Sequence, residues 1–482
     1  MATKLRNVLT EKYINMKKIL NISLFILAFG LLLTACKDDI PGPMDTSSKH
    51  TVLKSIKIIN AGESGNDVVI GTVNEETKTV EFPRLDTLTD FSNLKFEVET
   101  SDGAKLDKES YAVDFGDEST KSLVIKVVNE PRFREYILRL RLLVPVYGAD
   151  FDKAKVYDFG ANGTPYPSFV SLNVRGTGFD GEHVLVIDRG SAGPHLLKVS
   201  DLEENKTERI PLNTTGVSGG TFPYNMGAQI NGHTYMASLS TSQTNPLKIY
   251  HWTDPSAAPD VVYDVLPQDF SGAGDRNGDN FSLSLDENGN GYAFFISMGV
   301  QVLRVKVENY TTFTDSKAFN VGSAYGQWAS YNRVGNSQQF LLTSNTKPIS
   351  VVNNSGTVAY TMGNSAVPVR ANDARVINFN GERYLLIVTV ARGAGEGSNI
   401  EVYDINKGED VVEALSILDS NPRDALFSYN LTGNSNAAPG AQTGYHIVKD
   451  ADGNDEKLFI YGAHSDAGFA IAEFPVNVLE EE

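Results

Sequence analysis

One sequence unit recurs six times between residues 151 and 482, and this repeat restricts the fold more than any other feature of the chain. Each copy has a glycine-containing turn, a continuous apolar strand and an alternating strand, and the turn glycines are 46 to 72 residues apart. That spacing is close to the roughly 40–50 residues of a β-propeller blade with insertions. The repeat therefore predicts a six-bladed β-propeller over 151–482, in an all-β protein. The apolar strands begin at Val184, Thr234, Tyr292, Phe340, Tyr384 and Leu458.

The two ends of the repeat region predict how the propeller ring closes. The last copy ends near Val478 without an outer strand, while an alternating segment, 155–159, stands ahead of the first copy. We expect this early segment to supply the missing outer strand of the last blade. Residues 420–444 fit the repeat least well, so a seventh blade there is an alternative, as are a β-helix or tandem sandwiches. No helix is expected in the blades.

Residues 51–145 have a different pattern and are expected to form a separate unit. Polar and apolar residues alternate in 53–58, 94–98 and 135–142, which is typical of half-buried strands. The pattern, with the segments TDFSNLKFEVETSDGAKL and REYILRLRL, resembles the Ig-like modules that follow the anchor of many surface lipoproteins. The resemblance implies an N-terminal Ig-like β-sandwich that acts as a spacer.

The N-terminal region contains a targeting signal. Met16-Lys17-Lys18 is cationic, and residues 19–33 form an apolar run of about 15 residues, shorter than the roughly 20 of a spanning helix. The run ends in Leu33-Thr34-Ala35-Cys36, which resembles the bacterial lipobox. The resemblance implies a signal peptide over 1–35, with Met16 as an alternative start, and a lipidated Cys36. An ordinary signal peptide with an incidental cysteine is the other interpretation.

The residues after Cys36 indicate where the lipoprotein would work. Residues 36–50 include two prolines and several hydroxyl side chains, which predicts a flexible lipidated tether. Lys37-Asp38-Asp39 resembles the acidic export tag of Bacteroidetes-type lipoproteins. This resemblance implies an outer-membrane protein that is anchored by its lipid and faces outward.

Charge and cysteine content exclude several classes of function. The 482 residues carry a net charge of −18, which argues against nucleic acid or anionic lipid as a partner because those partners require basic patches. Cys36 is the only cysteine, so the chain has no intrachain disulfide and no thiolate metal site.

The repeats also resemble uncharacterised propeller domains of outer-membrane lipoproteins from polysaccharide-using bacteria. The segments that carry this resemblance are GGTFPYN, LKIYHW and GDRNGDNFSLSLDENGNGYAFF. They are structural rather than catalytic motifs. The resemblance extends over most of residues 150–480.

In a propeller, the loops between blades and the loops between second and third strands share one face, around the central channel. We expect aromatic and charged residues of these loops to form a binding mouth there, since rings stack on the C–H faces of sugars and polar groups bind their hydroxyls. Plugging of the channel by the same side chains is the alternative. The predicted mouth residues are Tyr166, Tyr224, Trp328, Arg370, Asp373, Asp424 and His464.

Three acidic segments resemble calcium loops, namely 275–286, 286–291 and 450–455. The first has oxygen-bearing side chains at positions one, three, five and twelve, as an EF-hand loop does, but its glycine is misplaced. The other two contain Asn-Gly or Asp-Gly at predicted hairpin turns, which need such residues for geometry alone. We therefore expect hairpin turns and no metal or other cofactor, with calcium as the alternative.

Enzyme signatures are weak. The sequence has no HExxH, GxSxG or phosphate-loop motif. His464 beside Asp466 could serve as a general base, and Asp373 with Asp424 could form a glycosidase pair. The leading hypothesis is a non-catalytic surface lipoprotein that binds glycan or a partner protein at the mouth. The alternatives are a polysaccharide lyase or hydrolase, and a structural subunit of an outer-membrane transporter complex.

The anchor predicts how the chain partitions between detergent and water. Two or more acyl chains hold a protein on a membrane essentially permanently, because each buried CH₂ contributes about 0.8 kcal/mol. The full chain should enter the detergent phase of a Triton X-114 extraction, and Cys36→Ala should move it to the aqueous phase. Equal partitioning of the two proteins would contradict lipidation at Cys36.

Overall fold

The computed structural model describes residues 49–116, 118–143, 147–160, 163, 166, 173–326, 328–363, 365–390, 397–431 and 440–478. The chain divides into two compact units, Met1–Pro145 and Val146–Glu482. Cys36, the signal peptide and most of the tether lie outside the described residues. Among the described residues, no helix has the length and apolar character needed to cross a membrane.

The strands of the N-terminal unit form one hydrogen-bonded set in the order β5-β1-β2-β3-β8-β7-β6, with β4 also on β8. β3 and β4 run parallel to β8, and the other neighbours are antiparallel. The strands are β1 (Leu53–Ala61), β2 (Asp67–Asn74), β3 (Thr79–Glu81), β4 (Leu85–Asp86), β5 (Phe96–Thr100), β6 (Lys105–Leu106), β7 (Thr120–Asn129) and β8 (Arg132–Leu143).

The alternation of buried and exposed side chains along each strand explains which face of this unit forms its core. On β8, Tyr136, Leu138 and Leu140 are fully buried, whereas the intervening Ile137 and Arg139 are exposed. Successive side chains of a strand point to opposite faces, so one face packs inward and the other meets solvent. The alternating segments are thus strands, as predicted. The Ig-like class of the unit stays a prediction.

The second unit is a six-bladed propeller. A single strand, β9 (Lys155–Asp158), precedes six four-stranded sheets whose strands follow one another in chain order. Blades 1 to 3 are β10 (Val174–Phe179), β11 (His183–Asp188), β12 (His195–Lys198), β13 (Arg209–Pro211); β14 (Phe222–Ile230), β15 (His233–Leu239), β16 (Leu247–Trp252), β17 (Asp260–Val265); and β18 (Ser282–Leu285), β19 (Gly291–Ile296), β20 (Gln301–Glu308), β21 (Thr312–Asn320).

The remaining blades have the same plan, except that the last takes its outer strand from the start of the unit. Its sheet order is β30-β31-β32-β9. Blades 4 to 6 are β22 (Ala329–Arg333), β23 (Gln339–Ser344), β24 (Ser350–Asn353), β25 (Val358–Thr361); β26 (Ala371–Phe379), β27 (Glu382–Thr389), β28 (Asn399–Asp404), β29 (Phe427–Asn430); and β30 (Ala441–Lys449), β31 (Asp455–His464), β32 (Gly468–Pro475) with β9.

The predicted apolar strands are the second strands of the blades. Residues 184–187 of β11 have no measurable exposure, because neighbouring blades cover both faces of the sheet. The predicted closing strand is also confirmed. β9 pairs with β32, the Tyr157 hydroxyl donates to Glu473 Oε2 at 2.9 Å, and the Asp150 amide donates to the Pro475 carbonyl at 2.9 Å.

Glycines allow the inner strands to approach one another around the axis. A Cβ on Gly176 of β10 would lie 2.5 Å from the Cα of Met226, and one on Gly178 would lie 2.3 Å from the backbone nitrogen of Gln229. Both contacts involve β14 of the next blade. Only a residue without a Cβ fits such close backbone approach.

The prediction of helix-free blades was wrong. The described propeller contains two α-helices, α1 (Val199–Leu202) and α2 (Val411–Ser420). Asp410 caps α2 by accepting a hydrogen bond from the Glu413 amide, and the helix buries an i, i+3, i+4, i+7 stripe that begins at Val411. Since α2 connects β28 to β29 within blade 5, the irregular segment after it contributes the outer strand of that blade rather than a seventh blade.

Candidate functional site

The first strand of each blade lines the central channel, where the described residues surround an upper and a lower cavity of very different size. The upper cavity has a volume of about 20 Å³ and is lined by residues near the start of these strands, including Trp328, Asn372 and Asp373. This is room for a single water molecule. The lower cavity, which we call the chamber, has a volume of about 410 Å³. The chamber is therefore the part of the channel that can hold a ligand.

The chamber opens on the face opposite to the predicted mouth. We call the end with the turns between first and second strands the hairpin-turn face, and the other end the connection face. The chamber is lined by turn residues of several blades, and its rim lies on the hairpin-turn face. These rim residues are Asp180, Asn231, Glu287, Gly335 and Lys449.

A network of hydrogen bonds, which we call the plug, fills the channel above the chamber. Asp373 of β26 is 2% exposed and accepts three hydrogen bonds, from Asn332 Nδ2 at 2.5 Å and from the Thr443 amide and hydroxyl at 2.6 Å each. Its carboxylate therefore ties together the inner strands of blades 4, 5 and 6.

Gln442 of β30 continues the plug towards the first two blades. Its Oε1 accepts from the Thr177 amide at 2.7 Å, and its Nε2 donates to the Gly227 carbonyl at 3.0 Å. One side chain thus links blades 6, 1 and 2. Because these polar groups are satisfied by one another, the plug stabilises the ring, and the described residues beside it enclose about 20 Å³.

Arg375 forms the floor of the chamber. It follows Asp373 by two residues on β26, so both side chains lie on the same side of the strand, and it lines both cavities. Its Nε donates to the Thr443 carbonyl at 3.0 Å. No carboxylate among the described residues forms an ion pair with Arg375. The chamber floor is therefore cationic.

Tyr445 and His446 add ring surfaces to the chamber wall. They are consecutive on β30, so Tyr445 packs towards blade 5 and the His446 ring lies against Gly181 of blade 1. Burial raises the pKa of Tyr445, while the nearby Arg375 charge opposes that rise. The phenol is thus a protonated donor at physiological pH.

Arg333, Lys449 and Asp180 of the chamber wall are held by hydrogen bonds or an ion pair. Arg333 donates through Nε to the Ser337 carbonyl and through Nη2 to the Asn336 carbonyl, both at 2.7 Å. Lys449 pairs with Asp455 at 3.0 Å. Asp180 accepts four hydrogen bonds, two of them from Gln229 Nε2 and the Gly232 amide at 2.9 Å.

Most predicted mouth residues are packing groups. Tyr166 is 1% exposed, and its hydroxyl meets His195 Nε2 and accepts from Arg209 Nε at 2.8 Å. Tyr224 packs against a core cluster between blades 1 and 2. Arg370 donates to the Gly397 carbonyl at 2.8 Å. Trp328 is half-buried at the upper cavity.

Asp424 does not lie in a loop between blades, contrary to its predicted place. It is exposed in the connection between β28 and β29, at the outer edge of blade 5. Asp373 is on β26, at the inner edge of the same sheet, three strand spacings or roughly 14 Å away. The pair predicted for glycosidase chemistry is therefore not brought within the roughly 5–9.5 Å that such chemistry needs.

His464 ends β31 inside the protein rather than in an open mouth loop. It is fully buried, its Nδ1 lies 2.7 Å from Ser398 Oγ, and its Nε2 has no hydrogen-bond partner among the described residues. Burial lowers its pKa to about 4. A neutral, enclosed imidazole is a poor general base for a polymeric substrate.

The segments that resemble calcium loops make local hydrogen bonds. Asp286 accepts from the Asn288 and Asn290 amides in the β18–β19 turn, and Asp450 accepts from the Asp452 and Asn454 amides in the β30–β31 turn. Asp279 pairs with Arg276. Among the described residues, no group of three or more metal-ligating side chains is present.

Sequence reasoning missed Arg375, Tyr445 and His446. Arg375 could have been recognised in the sequence as a charged residue inside an inner strand, two positions after Asp373. Tyr445 and His446 directly follow the mostly small residues of 440–444 in the inner strand of blade 6. These three residues are brought together by contacts between blades, which the sequence pattern does not show.

The family model described as Domain of unknown function (DUF4623) matches residues 38–477. No curated protein matches the chain. Among solved structures, the chain is similar to the crystal structure of a DUF4623 family protein from Bacteroides eggerthii DSM 20697. That likeness has 39% sequence identity and a TM-score of 0.77, and covers 89% of this chain and 99% of that chain.

Weaker likenesses concern two proteins from Bacteroides thetaiotaomicron VPI-5482. One is an endo-arabinase, with 12% identity and a TM-score of 0.31 over 65% of this chain and 98% of that chain. The other is a quinonprotein alcohol dehydrogenase-like protein, with 12% identity and a TM-score of 0.31 over 70% of this chain and 91% of that chain.

The burial of His464 predicts a loss of stability in acid. Its pKa is about 4 in the folded protein and about 6.5 when exposed, so the unfolded state binds the extra proton between these values. The free energy of unfolding should fall as pH drops from about 6.5 to 4, by up to about 1.4 kcal/mol per pH unit from this group. His464→Asn should make the fall shallower. Urea unfolding followed by tryptophan fluorescence checks this, and equal slopes for both proteins would contradict it.

Proposed function

The chain belongs to the DUF4623 family, and we propose that it is a non-catalytic binding protein whose saccharide ligand enters the propeller channel from the hairpin-turn face. The observation that carries this proposal is the chamber of about 410 Å³ beneath a closed plug. Small-molecule sites are typically clefts of about 300–1,000 Å³ with a few convergent polar groups.

The chemistry of the wall supports a saccharide as the ligand class. Tyr445 and His446 offer ring faces, and Arg375 offers N–H donors at the floor. Sugars combine apolar C–H faces, which stack on rings, with hydroxyls that need hydrogen-bond partners. A wall of this composition suits both needs.

A binding role is favoured over catalysis by the placement of the candidate acid and base groups. His464 is enclosed, and Asp424 and Asp373 lie at opposite edges of one blade. The lyase, the hydrolase and the structural-subunit alternatives therefore lack a specific observation in their favour.

We further propose that lipid on Cys36 holds the protein at the outer membrane, facing outward. The lipobox-like segment and the acidic residues that follow it support this placement. A protein anchored on the outer face of the outer membrane would meet saccharides outside the cell.

Saccharide binding should depend on Tyr445. In calorimetric titrations of the full chain against a panel of mono- and oligosaccharides, at least one should bind with a measurable Kd. Tyr445→Ala should weaken that binding about tenfold or more, since it removes the ring face and the hydroxyl donor. Tyr360→Ala is the matched control, because Tyr360 is a half-buried tyrosine on β25, an outer strand.

The control variant should bind as the wild type does. A panel that yields no ligand for the wild-type chain would contradict the proposed function. Equal loss of binding in both variants would also contradict it, because the effect would then come from general destabilisation rather than from the chamber wall.

A further inference from the structure

We propose that the saccharide carries a carboxylate and that Arg375 binds this group at the chamber floor. The ligand class is then an acidic sugar, such as a uronic acid or an oligosaccharide that contains one. This inference rests on the proposed function, since it names the ligand of the same chamber.

Arg375 retains unused hydrogen-bond donors. A guanidinium has five N–H donors, and the hydrogen bond from Nε to the Thr443 carbonyl uses one of them. Asp373, the nearest acidic residue along the strand, accepts its hydrogen bonds from Asn332 and Thr443 instead. The outer edge of the Arg375 guanidinium therefore faces the chamber without a counter-charge.

The uncompensated charge of Arg375 reduces the stability of the ligand-free protein. Arg375 is half-buried, and a charge that is withdrawn from water without a counter-charge reduces stability. A carboxylate at the floor would compensate the charge with two parallel N–H···O bonds, the geometry that arginine prefers. A neutral sugar hydroxyl would offer neither the charge nor the paired acceptors.

The other cations of the chamber are already bound to other groups. The Arg333 guanidinium donates twice to its own turn, and Lys449 pairs with Asp455 near the rim. Neither of them lies at the floor. Arg375 is thus the cation placed to select a ligand by charge at the deep end of the chamber.

Tyr445 provides a second donor for the same carboxylate. Its hydroxyl has no hydrogen-bond partner among the described residues, and it lines the chamber close to Arg375. A protonated phenol beside a guanidinium can donate to one carboxylate oxygen while Arg375 binds the other. Arg375 and Tyr445 then bind one planar, charged group together.

The charge of the whole chain limits the ligand to a small acid. At −18, the chain repels long polyanions over a distance of about one Debye length. A single carboxylate that reaches the floor is bound by short-range hydrogen bonds instead. This distinguishes an acidic mono- or oligosaccharide from a nucleic acid or a highly sulfated polymer.

The test compares an acid with its neutral ester. Calorimetric titrations of the full chain would use D-galacturonate and D-glucuronate, their methyl esters, and D-galactose and D-glucose. At least one uronate should bind about 10- to 100-fold more tightly than its ester and the parent sugar, because a charged hydrogen-bond pair is lost in both. Arg375→Gln should remove this preference, and Arg375→Lys should restore part of it.

Arg333→Gln is the matched control, since it removes an arginine of the same chamber that is already committed to its turn. It should keep the preference for the acid. If neutral sugars bind as tightly as uronates, or if Arg375→Gln keeps the preference, the inference is wrong while the proposed function stands. If no saccharide of either kind binds, both are wrong.

Thermal unfolding shows whether Arg375→Gln is folded. If it is not, the ratio of acid to ester affinity in the wild-type chain decides the question alone. A ratio near one would then overturn the inference.

Discussion

The pairing of β9 with β32 is the interaction on which the rest of the propeller depends. It joins the first strand of the unit to the last blade, so the last sheet has four strands like the other five. The bridge between Ala149 and Val476 extends this pairing at the start of the unit. Once the ring is closed, six inner strands share one axis, and the glycines of β10 let them approach closely enough to form a narrow channel.

Within that channel, satisfied and unsatisfied polar groups lie in adjacent layers. In the plug, the polar groups of Asp373 and Gln442 form hydrogen bonds with other blades, which holds the ring together. Directly beneath it, Arg375 and Tyr445 face open volume. Proteins normally pair buried polar groups, so unused donors around a cavity of ligand size indicate a site rather than a structural contact.

The blades could be predicted from sequence because each second strand is a continuous apolar segment, which is what a strand covered on both faces requires. The closing strand followed from the missing outer strand of the last copy. Helix α2 was missed because its short apolar stripe lies in the connection from β28 to β29, just before the irregular segment 420–444. The site was mostly missed for a different reason. The roles of Asp373 and His464 depend on partners such as Thr443 and Ser398, 70 and 66 residues away in the chain, and periodicity does not reveal such contacts.

The central claim is that the channel is open from the hairpin-turn face and closed from the connection face. Cysteine substitutions at two alanines of similar exposure test this claim in a Cys36→Ser background. Ala228 lies in the chamber wall and is 8% exposed, and Ala329 lies at the upper cavity and is 5% exposed. With a small methanethiosulfonate reagent and native protein, Ala228→Cys should react at least about tenfold faster than Ala329→Cys, because only the chamber admits a reagent larger than water. Equal rates, or faster reaction at position 329, would contradict the account.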